Sequence, residues 1–455
     1  MQKTDHEHDT PTSWGLFGLA WPLGLKAVML HGIIVIDFYL VSPLGEPALA
    51  AMGLAGAVAG LLLGVLLAFS NATQIRIAQA FGATGPTALK TSFLCGLLIN
   101  VAATAIGIML VLFFGSQIID TFAHTPEIAA QGTSYLYVFL LVVLFEAVAQ
   151  CFEGHFNGCG RTKITFFGFL IAVPINIGLS IALIYGLYGF PELGLVGAAW
   201  GSAAASATRM IFLAARFWRT DRHTLQATGW SKPTFGAALR RHWVFSVPIA
   251  GTFISVTFGN QVCMLIYAKM SVFEFAALAL ILPWVQTAGT FGMAWAQATG
   301  IAMAQLLGKG TAEPALDAFL SRAWRGAFVA AGLVALSYLA ICLMSERIYD
   351  NLQPETVAAL FTFLPILLIL PFPKGSNAIC GQTLRASGDT VRVMNIFIAG
   401  QWLCKVPLTA FFVLYLDLHV AWVFALVLVE ELFKFPPFHL RLLKGDWKNS
   451  QVLDD

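Results

Sequence analysis

Apolar stretches of about 20 residues follow one another along nearly the whole of this 455-residue chain. A helix of that length crosses about 30 Å of hydrocarbon. Charged residues make up only 11% of the chain, whereas a soluble domain carries about 25%. The chain is therefore predicted to be an all-α integral membrane protein. Its twelve transmembrane helices are predicted near residues 15–40, 49–72, 92–115, 130–152, 164–187, 195–217, 243–268, 275–298, 324–345, 356–380, 393–416 and 419–440.

Lys and Arg concentrate in alternate loops, most densely between residues 216 and 241. By the positive-inside rule these loops and both termini are predicted to face the cytoplasm, with the protein in the cell membrane. The rule accounts for the basic loop without nucleic-acid or lipid binding, and no nucleic-acid partner is expected. The polar N-terminal segment lacks the features of a secretory signal, and the first span is expected to be retained.

The stretch NATQIRIAQAFG, residues 71–82, returns as QATGIAMAQLLG at 297–308, with six of twelve positions identical and an offset of 226. The motif at 160–162 returns at 388–390 with an offset of 228. Each half holds six spans, so the two halves form a parallel repeat, which favours alternating-access transport. The repeated stretch itself is expected to end a helix and begin a tight turn.

The repeat predicts a division of the chain into two lobes with a linker and two tails. The parts are a cytoplasmic N-terminal tail over 1–14, a first lobe over 15–220, a cytoplasmic linker over 221–241, a second lobe over 242–440 and a cytoplasmic tail over 441–455.

Short motifs occur in a specific order: WP at 21–22, IDFYLVSPLGEPALAAMG from Ile36, AQAFGA from Ala78, GRTK from Gly160, PINI from Pro174, YGFPELGLVGAAWGS from Tyr188 and LRASGDT from Leu384. This pattern resembles the multidrug and toxic compound extrusion (MATE) family over nearly the whole chain, and YGFPELGLVG is most similar to its NorM-type branch. The resemblance implies a V-shaped, two-lobed bundle that exports drug-like or other small organic compounds, driven by a proton or sodium gradient.

Asp37 ends the apolar run HGIIVID in span 1, where an ionisable group is a functional candidate by default. The resemblance implies that Asp37 is the coupling carboxylate, and that Asn176 and Ser180 of span 5 and Ser202 of span 6 close around it. Some members carry Asp where Ser180 stands. Without that second carboxylate we expect H⁺ as the coupling ion, with Na⁺ as the less favoured alternative. A wetted aspartate at a helix end and ordinary interhelical hydrogen bonds are the alternative interpretations.

Lys374 interrupts span 10 within LPFPKGSNAIC, where NorM-type relatives carry an acidic residue. We predict that it faces the substrate cavity as a fixed positive charge; pairing with an acid of a neighbouring helix, such as Glu146, or reaching the membrane interface is the alternative. Glu146 of span 4, Phe253 and Trp284 are further candidates for the substrate cavity. Glu153, near the cytoplasmic end of span 4, is expected to be solvated, and Lys26 is expected to reach the inner membrane interface.

Other classes fit less well. A flippase for a lipid-linked or anionic precursor is structurally related, and the intramembrane lysines would suit an anionic head group. A major-facilitator transporter also has two six-helix halves, but its basic loop motif is missing from FGATGPTALK. A channel would not need the proline-broken spans 5, 10 and 11. Because HExxH and GxSxG motifs are absent, an enzyme is not expected.

The expected partners are a small-molecule substrate and membrane lipids, and the protein is expected to act as a monomer. No cofactor is expected beyond the coupling ion. The seven cysteines lack the spacing of metal ligands and are interpreted as small packing residues.

Overall fold

The structure is a computed structural model that describes residues 10–227, 232–344 and 354–449. The α-helices of these residues are α1 (Ser13–Val41), α2 (Glu46–Gly82), α3 (Pro86–Phe122), α4 (Pro126–Gly158), α5 (Thr162–Tyr185), α6 (Leu195–Thr220), α7 (Lys232–Tyr267), α8 (Val272–Gly308), α9 (Glu313–Leu343), α10 (Pro354–Ile369), α11 (Pro371–Ala386), α12 (Thr390–Ala399), α13 (Val406–Ala410) and α14 (Val420–Leu443).

Most of these helices have the length and apolar character of membrane spans. Within the described ranges nine helical segments meet both criteria, and the bent pair α10–α11 counts as a tenth. The more polar α6 and α14, of 26 and 24 residues, complete the set. The predicted order of twelve spans in an all-α protein is therefore confirmed.

Prolines interrupt the helices of the second half more than those of the first. α10 and α11 meet at a bend of 43°, where Pro371 has no backbone N–H to donate. Two π-helical segments, Gly400–Lys405 and Phe411–Tyr415, flank Pro407 of α13. α5 contains Pro174 yet runs unbroken, so the expectation of a broken span 5 is wrong. A single missing N–H inside a membrane helix can be tolerated when neighbouring helices hold the segment.

The repeated sequence stretch ends α2 and α8, which are both 37 residues long. The amide of Ala83 donates to the carbonyl of Gln79 at 3.0 Å, and the amide of Lys309 donates to that of Gln305 at 3.0 Å. Both helices therefore end within the repeated stretch, as expected, but they run ten residues beyond the predicted span ends at 72 and 298 and include both glutamines. The same local sequence forms the same terminus in each half.

The chain divides into two compact units, and the divisions fall within α1 and α7. The first unit is Leu25–Ala250; the second joins the residues up to Gly24 to those from Gly251 onward. The lobe bounds 15–220 and 242–440 and the cytoplasmic tails stay predictions. Parts of the predicted tails and linker, namely residues 1–9, 228–231 and 450–455, lie outside the described residues.

Each unit has an ion pair at the turn before its fifth span, and the two pairs have opposite polarity. In the first unit Arg161 Nη2 lies 2.6 Å from Asp221 Oδ1, just beyond α6. In the second unit Asp389 Oδ2 lies 2.7 Å from Arg441 Nε, in the last turn of α14. Arg161 and Asp389 are related by the repeat offset of 228. We call these two pairs the turn clasps.

Candidate ion-coupling site

Two glycines of α6 allow its backbone to approach α5 closely. A Cβ added to Gly201 would lie 2.2 Å from Ser180 Oγ and 2.7 Å from the Ser180 backbone nitrogen. One added to Gly197 would lie 2.6 Å from the carbonyl carbon of Leu183. Any larger residue would force the helices apart, which is the usual role of small residues between membrane helices.

This close approach brings together three of the residues that the sequence predicts for the site. Asn176 Nδ2 donates a hydrogen bond to Ser202 Oγ at 3.0 Å. Ser202 Oγ donates in turn to Asp37 Oδ2 at 3.4 Å. Asp37, Asn176 and Ser202 are all buried. A span 1 carboxylate, a span 5 amide and a span 6 hydroxyl therefore form one hydrogen-bonded chain. We call these three residues, together with the adjoining Ser180, the Asp37 pocket.

Neighbouring contacts hold the end of α1 in place. The Tyr185 hydroxyl of α5 donates to the carbonyl of Leu40 at 2.6 Å, one turn beyond Asp37. Tyr135 of α4 is buried within electrostatic range of the Asp37 carboxyl. Sequence reasoning missed Tyr135, because one tyrosine in an apolar helix has no pattern that separates it from a packing residue.

Three oxygens of the pocket have no hydrogen-bond partner among the described residues: Asp37 Oδ1, Asn176 Oδ1 and Ser180 Oγ. Ser180 is fully buried against Gly201, one helical turn from Asn176 on α5. Buried oxygens without donors are costly, so a site of this kind favours a proton or a small cation. Within the described residues the Asp37 carboxylate has no Lys or Arg in ion-pair contact.

A separate charged cluster of the first unit lies around Arg209 of α6. Arg209 Nη1 lies 2.9 Å from Glu153 Oε2, and Nη2 contacts Glu146. Lys26 of α1 also contacts Glu153, and the guanidinium of Arg209 lies 4.2 Å from the centroid of the Phe169 ring. The expectations of a solvated Glu153 and an interfacial Lys26 are wrong, because each charge has a buried partner on another helix.

The second unit contains buried charges that are already paired. Lys434 Nζ of α14 lies 3.0 Å from Glu430 Oε1 and 2.8 Å from Glu431 Oε1. Lys405 Nζ lies 3.2 Å from Glu430 Oε2, and Asn377 Nδ2 donates to Glu431 Oε2 at 2.9 Å. We call these five residues the lysine–glutamate network. Sequence reasoning missed both glutamates and Lys434.

The network lies beside the counterpart of Asp37 in the second unit. The offset of 226 relates Asp37 to Cys263. Cys263 lies within electrostatic range of Lys405 and Glu430, and its Sγ is 3.9 Å from Thr409 Oγ1. The residues at this position of the repeat thus differ in chemistry between the two units.

Lys374 reaches an internal pocket of the second unit. A Cβ built on Gly289 of α8 would lie 3.7 Å from Lys374 Nζ and 3.8 Å from the Tyr338 hydroxyl of α9. This pocket, between α8, α9 and α11, has a volume of about 30 Å³, room for water but not for a drug-sized compound. Glu431 lies within electrostatic range of Lys374.

The other predicted cavity residues do not line the pocket at Lys374. Phe253 on α7 and Trp284 on α8 are partly exposed, and Glu146 belongs to the Arg209 cluster of the first unit. Their role toward a substrate stays a prediction. The seven cysteines are buried and free, as packing residues are.

Membrane-spanning helices in two related halves, with the buried Asp37 pocket in the first unit, define a polytopic membrane transporter. The MatE family model matches residues 22–182 and 248–411, well over half of the chain, and the chain belongs to the multidrug and toxic compound extrusion family. Members of this multidrug-efflux family are transporters of small molecules and not enzymes.

Similar proteins match over most of their length. The uncharacterized transporter YisQ of Bacillus subtilis is 22% identical, over 92% of this chain and 91% of its own. A probable multidrug resistance protein NorM of Rhizobium meliloti is 24% identical, over 84% and 85%. The structure of a MOP superfamily transporter from Pyrococcus furiosus superposes with a TM-score of 0.83 at 16% identity, covering 96% of each chain. At that identity the superposition shows the fold alone.

Proposed function

We propose that this protein exports drug-like or other small organic compounds across the cell membrane by alternating access, in exchange for protons that bind Asp37. Asn176, Ser180 and Ser202 form the polar surroundings of that carboxyl. The supporting observation is that Asp37 is buried, accepts a hydrogen bond from Ser202 and has no cationic partner within the described residues. A carboxyl of this kind can alternate between a neutral and a charged form as the site opens to either side.

The chemistry of the pocket favours a proton over a metal ion. A hard cation such as Ca²⁺ or Mg²⁺ takes about six or more oxygen ligands, often with several carboxylates. The Asp37 pocket supplies one carboxylate, one amide and two hydroxyls. Protonation requires only one carboxylate oxygen, and Asp37 Oδ1 accepts no hydrogen bond from the described residues.

Sodium is the second candidate, and one observation favours it. Three buried oxygens, from Asp37, Asn176 and Ser180, have no hydrogen-bond donor among the described residues. A monovalent cation with a single carboxylate ligand would neutralise that charge and satisfy these oxygens together. Gradients of the two ions must therefore be imposed separately.

The finer features of transport belong to this proposal too. Both termini lie in the cytoplasm, the protein works as a monomer, and Lys374 favours substrates that carry a carboxylate or a phosphate once its pocket opens. The reversed polarity of the binding pocket described for the Pyrococcus furiosus relative is consistent with a change of substrate charge in this fold. A flippase for an anionic lipid-linked precursor remains the alternative for the substrate.

Export is tested with the purified full chain in proteoliposomes under a proton gradient or a sodium gradient. The panel contains cationic, zwitterionic and anionic compounds and one lipid-linked sugar. We expect Asp37→Asn to reduce proton-driven transport by at least about 100-fold while substrate still binds, because an amide cannot cycle between charge states. Asp120→Asn, which removes an exposed carboxylate at the end of α3, is the matched control and should transport like the unmodified protein.

The outcomes separate the candidates. Proton-driven export that survives in Asp37→Asn at equal protein levels contradicts the proposal. Transport that responds to sodium alone selects the second candidate. Movement of only the lipid-linked sugar selects the flippase.

A further inference from the structure

A groove on the surface of the first unit lies between the start of α5 and the end of α6. Its volume is about 410 Å³. Phe167 and Ile171 on its wall are 48% and 41% exposed, so no other helix of the unit covers them. The remaining apolar lining comes from Ile164, Phe212 and Ala215. A surface of this composition is suited to an acyl chain.

Three basic side chains line the same groove. Lys163 stands in the first turn of α5, and Arg216 and Arg219 stand in the last two turns of α6. All three are exposed, and over the described ranges none has a carboxylate in ion-pair contact. The lining contains no Asp or Glu. The groove therefore combines an apolar wall with three uncompensated positive charges.

The apolar wall and the basic side chains of the groove together indicate one class of ligand. A phosphate group is recognised by Arg and Lys through charge-assisted hydrogen bonds. A soluble anion would use the charges and leave the apolar wall without a role. Trp218, 59% exposed beside Arg219, is the type of residue that lies at a membrane interface. Basic pockets between membrane helices on the cytoplasmic side bind anionic lipid head groups.

We propose that this groove binds an anionic phospholipid of the cytoplasmic leaflet. The phosphate contacts Lys163, Arg216 and Arg219, and the first part of an acyl chain lies along Phe167 and Ile171. This site is separate from the Asp37 pocket and does not depend on the coupling ion.

The experiment compares lipid binding by the purified full chain, using native mass spectrometry with added phosphatidylglycerol or phosphatidylcholine. The test variant is Lys163→Gln/Arg216→Gln/Arg219→Gln. The matched control, Arg325→Gln/Arg392→Gln/Lys444→Gln, removes three exposed positive charges that do not line the groove. A charge-conserving variant, Lys163→Arg/Arg216→Lys/Arg219→Lys, tests whether charge is sufficient. Glycerol 3-phosphate tests the head group alone.

We expect the unmodified protein to prefer phosphatidylglycerol, and the test variant to bind it at least about tenfold more weakly. The control and charge-conserving variants should stay within about twofold of the unmodified protein, and glycerol 3-phosphate should bind far more weakly than the lipid. If the triple variant does not fold, Lys163→Gln and Arg219→Gln singly should each weaken binding about threefold. The proposal fails if the groove variants bind like the unmodified protein, if the control loses as much, or if glycerol 3-phosphate binds as tightly as the lipid.

Discussion

The Asp37 pocket of the first unit and the lysine–glutamate network of the second hold their buried acids differently. In the first unit Asp37 accepts a hydrogen bond from Ser202 and has no cationic partner within the described residues. In the second unit Glu430 lies between Lys405 and Lys434. A paired carboxylate is held in its charged form by its lysines, whereas an unpaired one can exchange a proton at modest cost. Under the proposed function, the first unit would carry out ion exchange and the second would hold a fixed balance of charge.

The comparison predicts opposite effects of substitution on stability and transport. Lys434→Met leaves Glu430 and Glu431 with less compensation inside the membrane, and we expect the free energy of unfolding to fall by about 3–5 kcal/mol. Asp37→Asn removes a charge that has no ion-pair partner among the described residues. The free energy of unfolding should therefore change by less than about 1 kcal/mol, although export is lost. Unfolding in mixed micelles with increasing SDS measures both.

The double variant Lys434→Met/Glu431→Gln is the control, because it removes charge of both signs and should recover part of the stability. Equal destabilisation by Asp37→Asn and Lys434→Met would show that the two sites do not differ in the way proposed.

The close approach of α5 and α6 is the basis of a second prediction, whose expected effect on stability is smaller. Gly201→Ala places a methyl group against the Ser180 backbone, so α5 and α6 must separate and Ser202 must move from Asn176. We expect a loss of about 1–3 kcal/mol in unfolding free energy together with slower proton-driven export.

Gly251→Ala in the second unit is the matched control. Its new methyl group meets only Met394 Sδ, at 3.1 Å, and a flexible methionine can yield. Its cost should stay below about 1 kcal/mol, with export unchanged. If both variants behave alike, close packing of α5 on α6 is not what positions the Asp37 pocket.

The smallest expected loss of stability concerns the turn clasps. Burial raises the pKa of Asp221, but hydrogen bonds from Arg161 and Thr220, the His155 ring 3.9 Å away and the Arg161 charge outweigh it and hold that pKa below its ordinary value. An aspartate whose pKa falls on folding stabilises the fold above its unfolded pKa of about 3.9, and this contribution is lost as the pH falls further. Asp221→Asn should therefore cost about 1 kcal/mol at pH 7 and less at pH 3.

Asp389→Asn tests the corresponding clasp and should cost less at pH 7. Arg441 Nη1 also lies 2.5 Å from Asp446 Oδ2, so this arginine keeps a partner. Thermal unfolding at both pH values measures the two variants. A pH-independent loss in Asp221→Asn would mean that its carboxylate charge does not stabilise the turn.

Sequence reasoning reached the fold through local signals, whereas the grouping of Asp37 with Asn176, Ser180 and Ser202 was implied by the family resemblance. Hydropathy identifies each span, and the spacing of Asn176 and Ser180 places them on one face before any tertiary contact is known. The close approach of α6 could also be anticipated, since small residues such as Gly201 are visible in the sequence.

The ion-paired clusters could not be predicted in the same way. Arg209 meets Glu153 across 56 positions of the chain, and Lys405 lies 25 positions before Glu430. Hydropathy counts the charges on each helix, but it does not say which faces meet. The positions of Lys26, Glu153 and Lys374 therefore depended on tertiary packing that only the structure provides.

The opposite polarity of the turn clasps has a consequence for how a duplicated membrane chain assembles. Halves with similar sequences risk exchanging equivalent helices as they fold. An exchange between the clasps would set Arg161 against Arg441, or Asp389 against Asp221, because each half carries the reverse of the other's charges. Like charges in contact disfavour such mispairing, whereas each correct partner attracts. We therefore expect the reversed charges to favour pairing of each half with its own helices.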